Sequence, residues 1–204
     1  MIDPAIFRFI AITDNVRDGQ AGLIDRAAAV AEGGATCIQL RLKDVSARDL
    51  ATLAADLIRS VGVPVMINDR ADVAVAVGAA GVHLGADDVP VKAVRAFAPD
   101  GFIIGASVGS DDEIPNALGA DYVGIGPVFS TASKKDAGSA IGIAEFSRLA
   151  AATGLPAVAI GGITAANANA VMRAGAAGVA SIASVFGATD PLAAAREMAT
   201  AIGK

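Results

Sequence analysis

The sequence predicts an α/β fold, a single (β/α)8 TIM barrel over residues 1–204, and three observations lead there. Short β-branched runs recur along the whole chain, each followed by a polar or Gly-rich turn and then an Ala/Leu-rich stretch. Some of those runs are continuously apolar, as in Ala157-Val158-Ala159-Ile160, which is how a strand reads when a parallel sheet buries both its faces. Strand-then-helix units of about 25 residues fill the 204 positions eight times. An open doubly wound sheet is the competing architecture, but it usually carries a glycine fingerprint after its first strand. Thr13-Asp14-Asn15-Val16-Arg17 has none, which favours the closed barrel.

In chain order, strands are expected at residues 7–13, 37–41, 63–68, 81–84, 103–107, 122–126, 157–160 and 178–181. Helices are expected at 18–32, 47–60, 89–97, 143–152, 165–174 and 191–202. The first closes on Glu32-Gly33-Gly34 and the fifth on Ala174-Gly175, glycine being the residue that suits a left-handed helix terminus. The last opens on Asp190-Pro191, an N-cap followed by proline at the first helical position. Gly33-Gly34, Gly78, Gly119 and Gly175 each join a helix end to the next strand, so they serve chain geometry at the face opposite any active site. No linker or composition shift marks a second domain.

A hydrophobic fraction of 54% with 18% charged residues excludes a disordered chain. Cys37 is the only cysteine, so no disulfide forms within the chain and a reducing compartment is expected. A net charge of -5 argues against a protein that coats nucleic acid or anionic membrane, while a local cluster of cations still suits a small anionic substrate. The uncharged run over residues 149–172 has membrane-spanning length, but Gly154, Pro156, Gly161, Gly162, Asn167 and Asn169 break it into turn, strand, turn and helix. With no basic N-terminal signal region, a cytoplasmic protein is expected, and a homo-oligomer is left open.

In such a barrel the working groups sit at the carboxyl ends of the strands. After the second strand, Gln39, Arg41 and Lys43 are spaced by two and would share one face of extended chain. They read equally as an anion site or as a rim ion-pair cluster. Asn68-Asp69 follows the third strand, where a helix cap is the simpler reading. His83, the sole histidine, reads as a hydrogen-bonded core residue more than as a catalyst. Asp87 and Asp88 would cap the next helix, or with Asp69 offer carboxylates from adjacent strand ends to Mg2+. The long polar loop from Gly126 to Gly138 carries Thr131, Ser133, Lys134 and Lys135, the composition of a phosphate clamp or of a solvated loop. Gly161-Gly162 and the Ser181-Ile182-Ala183-Ser184 segment occupy the places after strands seven and eight where these barrels hold phosphate.

Taken together these motifs resemble the thiamine phosphate synthase family. Gln39-x-Arg41-x-Lys43, Asn68-Asp69, His83-Leu84-Gly85 with Asp88, the Gly126-Pro127-Val128-Phe129…Lys134-Lys135-Asp136 loop and Gly161-Gly162-Ile163-Thr164 fall in its order over nearly the whole chain. The resemblance implies a transferase of thiamine biosynthesis that joins a hydroxymethylpyrimidine diphosphate to a thiazole phosphate, with Mg2+, releasing pyrophosphate. It implies that Gln39, Arg41, Lys43 and Asn68 meet the pyrimidine diphosphate and that Asp69 and Asp88 hold the metal. Ser107 would lie near the pyrimidine and its diphosphate, and Lys134 on the pyrophosphate. Thr131 and Ser133 would face the thiazole phosphate, which Gly162, Ile182 and Ala183 would hold through main-chain amides. Arg41, Lys43 and Lys134 would stabilise the leaving group. The chain departs from the family at Leu42, often acidic there, at Ala86, commonly glutamine, at Gly109, frequently histidine, and at Ala183, usually serine. A thiazole tautomerase-like isomerase and a non-catalytic phosphate-binding relative are the alternatives. The first carries a histidine where Pro127 stands, and the second is motivated by Ala86 and Gly109.

Overall fold

The structure is a computed structural model that describes residues 2–13, 19–131 and 138–203. Eight strands, β1 (Phe9–Ile12), β2 (Cys37–Leu40), β3 (Val65–Asn68), β4 (Gly81–Leu84), β5 (Ile103–Val108), β6 (Tyr122–Ile125), β7 (Ala157–Ala159) and β8 (Gly178–Ser181), pair in sequence order. All pairs are parallel, and β1 pairs with β8 to close the barrel. Around it lie α1 (Gly19–Glu32), α2 (Ala47–Ser60), α3 (Ala71–Ala76), α4 (Val91–Arg95), α5 (Gly142–Thr153), α6 (Ala165–Arg173) and α7 (Pro191–Ala201).

The predicted barrel therefore forms, with local corrections. The run expected as a strand from residue 7 starts with a 3-10 turn, Pro4–Phe7, because the Asp3 side chain caps Ala5 N and Pro4 sits at the first helical position. β3 begins two residues late, beyond Pro64, which has no N–H to give to a ladder. The helix expected over 89–97 is only Val91–Arg95, with Pro90 at its N-cap. A short helix, α3, fills the link between β3 and β4 where none was foreseen. Between β5 and β6 the chain forms a 3-10 segment, Asp111–Ala117, with Pro115 inside it.

Two apolar compartments hold the fold together. One lies between the barrel and its helices and takes the outward side chains of the strands, such as Ile38, Ile67, Val123 and Val179, with Leu53, Leu57, Phe146 and Val171 from the helices. The other fills the barrel itself with Ile10, Cys37, Met66, Ile103, Tyr122 and Val158. Because side chains alternate along a strand, the next inward residues toward the carboxyl ends are Gln39, Asn68, His83 and Ser107. The interior thus turns from apolar to polar in one layer, and that layer floors the open mouth. The turns at the opposite face place Gly34, Gly78, Gly119 and Gly175 at positive φ, as their reading for chain geometry anticipates.

Candidate active site

On the β1–β2 side, Thr13 is fully buried just past β1 and fastens the end of β2. Its Oγ1 donates to Arg41 O at 3.0 Å and accepts from Arg41 N at 2.9 Å, while its own N–H donates to Gln39 O at 3.0 Å. Gln39, 3% exposed, donates through Nε2 to Asn68 Oδ1 at 2.7 Å. The strand ends at Leu40, so only Gln39 of the expected one-face trio is in extended ladder. Arg41 is half-buried just beyond it, and Lys43 is exposed in a turn whose next residue, Asp44, has φ 61°.

Asp69 directly follows β3 in the left-handed region, φ 66°, a conformation aspartate tolerates better than most side chains. Its N–H donates to His83 O at 2.8 Å, which ties it to the end of β4, and its side chain is exposed. Asp88 lies in the turn after β4, its Oδ2 accepting from Gly85 N at 2.6 Å. These two offer hard oxygen donors from neighbouring strand ends, a donor chemistry that fits Mg2+, which binds one or two carboxylates and completes its shell with phosphate and water. Among the described residues no group of three or more His, Cys, Asp or Glu side chains is assembled for a metal.

His83 is buried and bonded on both ring nitrogens, Nδ1 to the Tyr122 hydroxyl at 2.9 Å and Nε2 to Ser107 Oγ at 3.0 Å. Ser107 is half-buried and lines a cavity of about 620 Å3 at the mouth. That volume is in the range of small-molecule sites. The same cavity gathers Thr131, Gly162, Ile182 and Ala183. Five of the sequence-predicted residues thus share one wall, on β5 to β8. Gln39, Arg41, Lys43, Asn68, Asp69 and Asp88 do not line it; they stand at the same end of the barrel on β2 to β4. Hydrogen bonds from Asp69 to His83 and from His83 to Ser107 connect the two sides. Ser133 and Lys134 lie outside the described residues.

The β7–β8 side is built for close approach. Gly162 has φ 63°, and a Cβ there would stand 2.6 Å from Ser130 O, so the loop after β6 rests on this turn. Asn167 braces it from α6, donating to Gly162 O at 2.9 Å and accepting from Thr164 N at 2.9 Å. Ser184 Oγ donates to Ile163 O at 2.7 Å and lies 2.5 Å from Ser181 Oγ, which joins the loops after β7 and β8. From outside, Arg26 of α1 donates to Ala188 O at 2.9 Å and closes the far end of the turn after β8.

Sequence reasoning missed Thr13, Tyr122 and Glu113. Glu113 lines the cavity and accepts from Gly109 N at 2.6 Å. A threonine and a tyrosine inside apolar runs look like core residues, and only the pairing register reveals their polar partners. Glu113 sits among Asp111 and Asp112, and the run resembles a solvated stretch.

The family model described as thiamine monophosphate synthase matches residues 9–185. A protein from Roseiflexus castenholzii named thiamine-phosphate synthase is 47% identical over 192 residues, covering 92% of this chain and 84% of the relative. A protein of the same name from Methanoculleus marisnigri is 50% identical over 179 residues, 85% of each chain. A solved structure titled thiamine phosphate pyrophosphorylase, from Pyrococcus furiosus, superposes with a TM-score of 0.83 at 34% identity, covering 98% of this chain and 96% of the other.

Proposed function

The chain belongs to the thiamine monophosphate synthase family, and from that premise we propose that it condenses a pyrimidine bearing a diphosphate on its exocyclic methylene with a thiazole phosphate, yielding thiamine phosphate and pyrophosphate. The observation that carries the reading is the polar layer that caps an apolar barrel and opens on a cavity lined by Ser107, Gly162, Ile182 and Ala183.

In the chemistry this requires, the methylene C–O bond breaks and its electron pair leaves with the diphosphate, while the thiazole nitrogen lone pair forms the new C–N bond. Positive charge develops on the methylene carbon and negative charge on the departing oxygens. No general base is needed, which suits a chain whose one histidine is engaged on both nitrogens. Arg41, Lys43 and Lys134 would supply positive charge for the leaving group. Gln39 and Asn68, locked to each other, present their remaining amide atoms to the pyrimidine side. The Gly162 and Ile182–Ala183 amides with Thr131 and Ser133 take the thiazole phosphate. Holding both partners in line lowers the entropy cost of a two-substrate reaction. Mg2+ held by Asp69 and Asp88 would, when bound, neutralise part of the diphosphate charge. The site departs from the family at Ala183, and backbone amides there do not depend on the side chain.

Relatives named as synthases favour this reading over the tautomerase-like and non-catalytic alternatives. None of the helices among the described residues is long and apolar enough to cross a membrane, and an enzyme acting on small phosphorylated molecules suits the cytoplasm. The test is to mix the protein with both phosphorylated halves and Mg2+ and follow thiamine phosphate by the fluorescence of its oxidised form. Product is expected, with large losses in Lys134→Ala and Asp69→Ala. An inactive wild type would remove the reading, and variants as active as wild type would overturn the assigned roles.

A further inference from the structure

We propose that Tyr122 and His83 are positioning residues, a directed hydrogen-bond relay that fixes the Ser107 hydroxyl as a donor to the anionic substrate in the cavity. The proposal rests on the reading that the cavity takes a phosphorylated substrate beside Ser107. Tyr122 starts β6 inside the barrel, stacked on Phe7 with ring centroids 4.6 Å apart. It pairs in register with Gly105 of β5, and a Cβ at Gly105 would stand 2.3 Å from the tyrosine ring. The missing side chain lets the ring lie across β5 so that its hydroxyl reaches β4, where Nδ1 of His83 is 2.9 Å away. A second glycine, Gly124, borders the imidazole, with an added Cβ 3.0 Å from Cε1. Two glycines thus make room for one tyrosine and one histidine inside the barrel.

Proton counting sets the direction. The phenol has a single proton and a choice of two acceptors, the imidazole Nδ1 or the Met66 sulfur at 4.0 Å, and the thioether is the far weaker acceptor. Burial pushes the phenol well above its ordinary pKa, so the proton stays on. Tyr122 therefore donates to Nδ1. A neutral imidazole that accepts at Nδ1 carries its hydrogen on Nε2, and Nε2 faces Ser107 Oγ at 3.0 Å. Ser107 Oγ accepts that bond, so its own hydrogen is turned away from the histidine and toward the cavity it lines. With the opposite tautomer Ser107 would donate inward and present only lone pairs to an anion, which repel it.

Because His83 is the only histidine, its tautomer is readable without assignment in tag-free protein labelled at histidine nitrogen, using long-range proton–nitrogen correlation spectra. The expected spectrum at neutral pH has a protonated Nε2 and an unprotonated Nδ1, and in Tyr122→Phe that preference is lost. A wild type with the hydrogen on Nδ1 overturns the relay whatever the enzyme does. In steady-state kinetics Tyr122→Phe and Ser107→Ala each raise KM for the pyrimidine diphosphate by about tenfold. KM for the thiazole phosphate is expected to hold steady, and the double variant to be no worse than Ser107→Ala. Multiplicative losses in the double variant, or an equal rise in both KM values, overturn it. A wild type with the expected tautomer but no turnover sinks the functional reading, and with it the role given to Ser107.

Discussion

Gln39 and Asn68 face each other across the carboxyl ends of β2 and β3, Nε2 to Oδ1 at 2.7 Å, so each amide orients the other. With its oxygen occupied, Asn68 keeps its NH2 for the mouth, and Gln39 keeps its oxygen. Gln39→Glu replaces the donor with a carboxylate next to Asn68 Oδ1, which turns the Asn68 amide round and withdraws its donors. The loss of one buried polar pairing is worth about 1–3 kcal/mol. Expressed in the transition state, that is a fall of roughly 5- to 150-fold in kcat/KM, read by steady-state kinetics with each substrate varied in turn.

Thr13 controls the same strand end from the other side. Thr13→Val keeps the shape and removes the hydroxyl that serves both Arg41 N and Arg41 O. A backbone donor and acceptor near the barrel mouth lose their partner, at a cost of about 1–3 kcal/mol in a urea titration. KM for the diphosphate substrate should rise more than KM for the thiazole phosphate, since Arg41 lies on the β2 side and the proposed thiazole phosphate site on β7 and β8. Equal changes in both would place Arg41 elsewhere in the reaction.

The barrel itself was readable because its signals are local: apolar runs, glycine turns and helix caps repeat at a fixed spacing. The rim residues were readable because they follow those runs directly. Boundaries failed at Pro64 and Pro90, where a missing N–H shortened an element whose apolar pattern was otherwise adequate. The site was half legible. Thr131 was legible as a hydroxyl of the polar loop after β6 and Ser107 through the family resemblance, but the groups that orient Ser107 were not. Tyr122 becomes a polar partner only through the register that sets it against Gly105 and beside His83, a relation between residues on three strands. Arg41 and Lys43 were placed by alternation, and the strand stops before the alternation reaches them.

Gly105 is an interior position where volume, and not turn geometry, demands glycine. Gly105→Ala puts a methyl 2.3 Å from the Tyr122 ring, which is held by Phe7 and cannot swing clear. Overpacking of this kind costs about 1–3 kcal/mol. Thermal unfolding should show a lower midpoint. The variant should also share the kinetic defect of Tyr122→Phe, because the displaced hydroxyl no longer meets His83.

Cys37 sits in the barrel interior beneath this layer, and burial pushes its thiol from 9.0 up to about 12, partly offset by a backbone hydrogen bond. The thiolate is the reactive form, so the native protein should resist alkylation at neutral pH while the urea-unfolded chain reacts at once. The same shift has a sign for stability. The folded state holds this proton more tightly than the unfolded chain, so the contribution is fully present below pH 9 and is lost as pH climbs toward 12. Tyr122, the only tyrosine, is raised above 10.0 and adds its own loss from there upward. Denaturant titrations from pH 8 to 11 should show a slope that begins near 9, approaching but not exceeding about 1.4 kcal/mol per pH unit for one group. Cys37→Ala should flatten the interval between 9 and 10 and leave the later fall in place; an unchanged profile would mean the thiol reaches solvent in the native state.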